Sequence, residues 1–156
     1  MSEDGILFLH LAGVLLFVGG SVAAALLRLA AMRREAPSEI ALLLRVVRPV
    51  VPLVAGGLVV TIAAGFWLAS DLGLALSAPW LTLTFVLIGW MLVVGAVAGR
   101  QDRKTRELAE HLATDGDAPS ADLVRRLHDP LNLALNASML IAVLAIVALM
   151  VWKPGA

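Results

Sequence analysis

Four stretches of the 156-residue chain, each about 20 residues long, contain no Asp, Glu, Lys or Arg. They run from Ile6 to Leu27, from Val50 to Ala69, from Trp80 to Ala98 and from Leu131 to Trp152. An α-helix rises about 1.5 Å per residue, so about 20 apolar residues cross a hydrocarbon layer about 30 Å thick. Inside that layer no water is available to backbone amides, so each stretch must bond to itself as a helix. The expected fold is all-α: a polytopic membrane protein whose residues 1–156 form one four-helix transmembrane bundle.

Composition supports this reading. Hydrophobic residues make up 60% of the chain and charged residues 15%, against roughly 45–50% and about 25% in soluble domains. A soluble globule of this size cannot hide so much apolar surface, which excludes a soluble enzyme as well as a disordered chain. Twelve basic residues balance twelve acidic ones, which argues against nucleic acid as a partner and leaves the lipid bilayer as the first partner implied. The absence of cysteine removes disulfides, thiolate metal sites and cysteine nucleophiles. The acidic opening, Met1 to Gly5, lacks the positive charge of a signal peptide, so the first stretch reads as a retained helix.

Orientation follows from Lys and Arg in the loops, which concentrate on the cytoplasmic side. Arg28, Arg33, Arg34, Arg45 and Arg48 follow the first stretch; Arg100, Arg103, Lys104, Arg106, Arg125 and Arg126 follow the third. Only Lys153 falls elsewhere. Both basic loops are therefore expected in the cytoplasm, and both termini outside. Trp67, Trp80 and Trp152 fall at outer ends of their stretches, where indoles favour the interface; Trp90 does not.

The connections carry further signals. Pro37-Ser38-Glu39 reads as the start of the second helix, with a kink expected near Pro49 and Pro52. Residues 100–129 read as a cytoplasmic helical loop. The third helix should continue to about Ala113, with Arg103 and Arg106 near Glu107 and Glu110. Thr114 to Pro119 is rich in breakers. Ser120 can cap a short helix ending near His128, and Asp129 can cap the fourth span with Pro130 in its first turn.

Small residues let helices approach closely in lipid, and Gly13, Gly20, Gly56, Gly57, Gly65, Gly89, Gly95 and Gly99 are candidates. Gly95 and Gly99 form a GxxxG pattern, read as internal packing or, more sharply, as a homodimer face. His10 is the one ionisable side chain within an apolar stretch, about one turn from the outer surface. Such residues usually face the bundle interior and often mark function, and neutral imidazole is the commonest metal ligand; the plainer reading is contact with water or with a backbone carbonyl. His111 and His128 lie at the other membrane face and cannot share a metal with His10. Thr61, Thr82, Thr84 and Met150 lie at the depth of His10. The threonines are expected to bond to their own helices; Met150 is either packing or, with His10, half of a His/Met haem pair. Asn132 and Asn136 share a face of the fourth span and should bond to neighbouring helices.

Leu9 to Val14 with Phe17-Val18-Gly19-Gly20 resembles the opening helix of the CopD/HemJ-like superfamily of small four-helix bacterial membrane proteins. Arg45 to Pro49 with Gly65-Phe66-Trp67-Leu68, Pro79-Trp80 with Ile88-Gly89-Trp90, and Trp152-Lys153-Pro154-Gly155 resemble its later motifs. The nearest likeness is to a branch of predicted integral membrane proteins. The resemblance implies a bacterial inner-membrane location. At the position of His10, the HemJ branch carries a histidine thought to bind haem b. It implies His10 as metal ligand here, in a cofactor pocket lined by Gly13, Phe17, Thr61, Gly65, Thr84 and Met150. That branch also has a third-helix lysine, where this chain has Trp80 to Thr84, and Asn-Glu before a proline, where this chain has His128-Asp129-Pro130. These departures argue against protoporphyrinogen oxidation. The expected function is a haem-binding membrane protein with a redox role; the alternative is a non-enzymatic membrane subunit or scaffold that binds a protein partner.

The orientation is directly testable. Accessibility labelling should place residues near Glu35 and Asp115 in the cytoplasm and those near Asp71 outside; a cytoplasmic signal at Asp71 would overturn it.

Overall fold

The computed structural model describes residues 3–73 and 78–153. Pro154 and Gly155 of the closing motif, and residues 74–77 of the loop from Ser70 to Pro79, lie outside the described residues. Five helices follow in order: α1 (Glu3–Ala31), α2 (Pro37–Asp71), α3 (Pro79–Thr114), α4 (Ala121–Leu127) and α5 (Pro130–Trp152). Four segments are long and apolar enough to cross a membrane, namely α1, α2, α3 and the stretch Ala121–Trp152 that contains α5. Each expected apolar stretch lies inside one of these helices.

Helix boundaries follow local chemistry. Proline opens α2, α3 and α5 in the first turn, where its missing N–H costs nothing. The Asp129 carboxylate accepts a hydrogen bond from the Leu131 N–H at 3.2 Å, capping α5 as expected. Ser120 sits at the N-cap of α4, but its side chain makes no cap bond. Pro49 and Pro52 lie within α2 and do not end it. Past Thr114 the chain turns through Gly116 and Asp117, at φ 102° and 55°, and the Asp117 N–H closes the turn on the Leu112 carbonyl at 3.0 Å. Asp117 then reaches the start of α2: its carboxylate accepts from the Ser38 N–H at 2.7 Å and from the Ser38 hydroxyl at 2.6 Å. A carboxylate at a helix N-terminus satisfies orphan donors and complements the helix dipole.

α1 and α2 form an antiparallel hairpin. His10 lies against Thr61 and Gly65, Gly13 against Gly57 and Thr61, and Gly20 against Val54 and Val50. The backbones nearly touch at the middle pair. A Cβ on Gly13 would lie 2.8 Å from the Thr61 nitrogen and 2.9 Å from the Gly57 oxygen; one on Gly57 would lie 2.7 Å from the Phe17 nitrogen. Glycine is required there because no side chain fits between the two helices. α2 also packs on α3, and α3 on α5. Phe66 and Phe85 stack at 5.3 Å across the α2–α3 seam.

Two cores result. Within the apolar stretches, Phe17 of α1, Met91 of α3 and Ala142 of α5 meet among Val54, Leu58 and Val143. Around them Phe8, Leu15, Val59, Ile141 and Val151 point outward, as a bilayer solvent allows. At the basic end a second core excludes water as a soluble protein does: Ala31, Ile40, Leu44, Ala109, Leu123 and Leu127 are buried together. Trp80 keeps its place at the end of its stretch but turns inward. It is buried because it shares a stripe of α3 with Thr84, Met91 and Val94, all facing inward. Trp67, Trp90 and Trp152 are exposed.

Glycines therefore divide into two sets. Gly57→Val should lower stability in detergent by about 1–3 kcal/mol or prevent folding, as overpacking does. Gly19→Ala and Gly99→Ala, with nothing within 4 Å of the added carbon, should leave the thermal midpoint nearly unchanged.

Candidate functional site

His10 belongs to the inward stripe of α1, with Ile6, Gly13 and Phe17. Its ring is buried. Nδ1 lies 2.9 Å from the Thr61 carbonyl oxygen of α2. A carbonyl only accepts, so Nδ1 carries the proton and donates; in the neutral imidazole, Nε2 then keeps its lone pair. The contact depends on Gly65, where a Cβ would lie 3.0 Å from His10 Cε1 and 3.1 Å from Nδ1. The missing side chain at Gly65 leaves the ring its path to the carbonyl one turn earlier.

His10, Gly13, Thr61 and Gly65 are thus brought together along one seam. The Thr61 hydroxyl donates to its own helix, to the Gly57 carbonyl at 2.8 Å. Thr84 does the same toward Trp80 at 2.8 Å and is buried on α3. Phe17 is buried one layer further in, with Met91 and Ala142. Met150 is half-buried on α5, whose principal neighbour is α3. The other two histidines are at the basic end: His128 Nδ1 meets the Val124 carbonyl at 3.0 Å and His111 Nδ1 meets the Asp115 carboxylate at 2.9 Å. Among the described residues no three His, Asp or Glu side chains gather as metal ligands.

A second polar cluster was not visible in the loop charges. Arg28, counted above only for orientation, is buried at 7% exposure. Its Nη1 donates to Asp102 of α3 in an ion pair, and its Nη2 reaches the Leu127 carbonyl at the end of α4 at 3.4 Å. With the Asn132 amide oriented oxygen toward the guanidinium, that oxygen accepts from Nη2 at 2.9 Å and from Nη1 at 3.2 Å. Asn136 donates to the Asn132 backbone carbonyl at 2.8 Å. Of the two asparagines expected to reach other helices, Asn132 does so, while Asn136 bonds within α5. Arg28 Nε has no partner among the described residues. One signal pointed to this cluster: Arg28 lies 18 residues, five helical turns, after His10, on the same face of α1.

The fold and these sites define the class: a multi-pass integral membrane protein built as a four-span helical bundle. The chain belongs to the family described as "Predicted integral membrane protein (DUF2269)", whose model matches residues 5–154. No curated protein and no solved structure matches it.

The Arg28–Asp102 pair should respond asymmetrically to substitution. The Asp102 side chain is 37% exposed and that of Arg28 only 8%. Asp102→Asn strands a buried cation, at a cost of about 3–5 kcal/mol. Arg28→Met leaves a carboxylate that water can reach and should cost less. The double variant Arg28→Met, Asp102→Leu should be more stable than Asp102→Asn alone, as read by thermal unfolding in detergent.

Proposed function

We propose that the protein binds haem b through His10 Nε2 in a bacterial inner membrane and serves a redox role. The observation that carries this reading is the hydrogen bond from His10 Nδ1 to the Thr61 carbonyl. Metal-bound histidines donate their other ring nitrogen to a carbonyl or carboxylate in this way, which fixes the tautomer and aims the free nitrogen. A neutral imidazole with its Nε2 lone pair free is a donor that would hold a haem iron. Resemblance to the CopD/HemJ-like superfamily supports the same assignment.

In this reading Thr61 and Gly65 hold the ring, since both lie on the α2 side that Nδ1 faces. Gly13 serves the helix contact, because the space beside it is filled by Thr61 and Gly57. Phe17, Thr84 and Met150 are left as the wall residues. When bound, the haem would supply one-electron chemistry. The residues of the chain orient the imidazole, keep water from it and fix the proton on Nδ1.

The second reading is a non-enzymatic membrane subunit for a protein partner, in which Gly13 and Gly57 serve the packing of α1 on α2. Absorption spectroscopy separates the two. Protein expressed with ample haem should show a Soret band that His10→Ala abolishes while the helical circular dichroism persists. Gly65→Ala should shift the band, and Met150→Leu should shift it only if Met150 is the sixth ligand. Colourless wild-type protein, or a His10→Ala variant that keeps its haem, would leave the subunit reading.

A further inference from the structure

A cleft of about 240 Å³ opens at the basic end between α3 and the junction of α4 with α5, lined by Gln101, Lys104, Thr105, Arg126 and Asp129. Gln101 lies three residues beyond Ala98, the last residue of the third apolar stretch, and Asp129 lies two residues before Leu131, the first of the fourth. At about 1.5 Å per residue, both are within one helical turn of the hydrocarbon edge. That is the layer occupied by lipid headgroups, whose polar zones extend the bilayer from about 30 to about 40–45 Å.

The charges at the cleft are available. Lys104 is exposed and forms no ion pair among the described residues, whereas the flanking Arg103 and Arg106 are paired with Glu107 and Glu110. Arg126 uses only Nε toward Asp122, at 2.9 Å, so its terminal nitrogens remain free to donate. The Asp129 carboxylate, the one anion in the lining, is engaged by the Leu131 N–H at the start of α5, where the helix dipole offsets its charge. Thr105 is turned back to the Gln101 carbonyl at 3.0 Å. On the membrane side of the cleft the same helices expose Val97 and Leu131.

We propose that this cleft binds the phosphodiester headgroup of an anionic phospholipid, held by Lys104 and Arg126, with the acyl chains lying along Val97 and Leu131. Basic pockets between helices at a cytoplasmic face select anionic headgroups, each Lys or Arg contributing about 1 kcal/mol. A free phosphate would use the same two cations but gain nothing from the apolar walls.

The test is a lipid titration of delipidated protein in neutral detergent, read as the thermal midpoint. Phosphatidylglycerol should raise the midpoint more than phosphatidylcholine does. Lys104→Gln should weaken apparent phosphatidylglycerol affinity about five-fold, the equivalent of one lost cation, and Lys104→Arg should restore it. Arg33→Gln, an exposed change in the other basic loop, should leave it unchanged. The proposal fails if Lys104→Gln titrates like wild type, or if Arg33→Gln weakens binding as much. It also fails if inorganic phosphate reproduces the phosphatidylglycerol shift.

Discussion

The contact of α1 with α2 at Gly13 and Gly57 governs the geometry of the half of the bundle that holds His10. Lipid offers no hydrophobic drive to bring helices together, so contact must be gained by fit and by backbone proximity. With the Gly13 and Gly57 positions closed to any side chain, the hairpin is held in one register. That register sets His10 opposite the Thr61 carbonyl and Gly20 against Val54. A shift by one residue on α1 would turn His10 out of the seam, and one on α2 would carry the Thr61 carbonyl away from it; either would leave the ring without its partner at membrane depth, where an unsatisfied polar group costs several kcal/mol.

The other end of the molecule obeys a different solvent. Where α2 and α3 run past their apolar stretches, their inward faces carry Ile40, Leu44 and Ala109, and α4 closes over them with Leu123 and Leu127. Burial from water at about 25 cal/mol per Å² operates here, as it cannot between spans. Arg28 sits where the two regimes meet. It links α1 to α3, α4 and α5 through Asp102, Leu127 and Asn132, and its burial makes those partners obligatory rather than optional.

Much of this was legible in the sequence because lipid imposes a length and a composition on any spanning helix. The four stretches, the continuation of α3 to Thr114, the Asp129 cap and the bonds of Thr61 and Thr84 to their own helices followed from local rules. What escaped was long-range. Asp117 caps a helix that starts 80 residues earlier; in the sequence it is only one more breaker in a polar turn. That Trp80 turns inward appears only once the inward stripe of α3 is known. Arg28 reads as a loop charge because an ion pair between residues 28 and 102 leaves no local trace. At the His10 site, the plain expectation of a bond to a backbone carbonyl is met, and the partner carbonyl is exposed by a glycine four residues further on, a relation that composition does not encode.

The sequence separations within these contacts give the bundle a timetable. Every contact that fixes the first hairpin, from His10 with Thr61 to Gly20 with Val54, lies within the first 71 residues. As the chain leaves the ribosome, that hairpin can insert and close before α3 has been made. Arg28 has no such local solution. Its carboxylate partner arrives 74 residues later and its amide partner 104 residues later. The full set of partners for the guanidinium exists only once the last helix is in place. A chain interrupted before α5 would carry every contact of the first hairpin and still lack the Asn132 amide that completes the surroundings of Arg28.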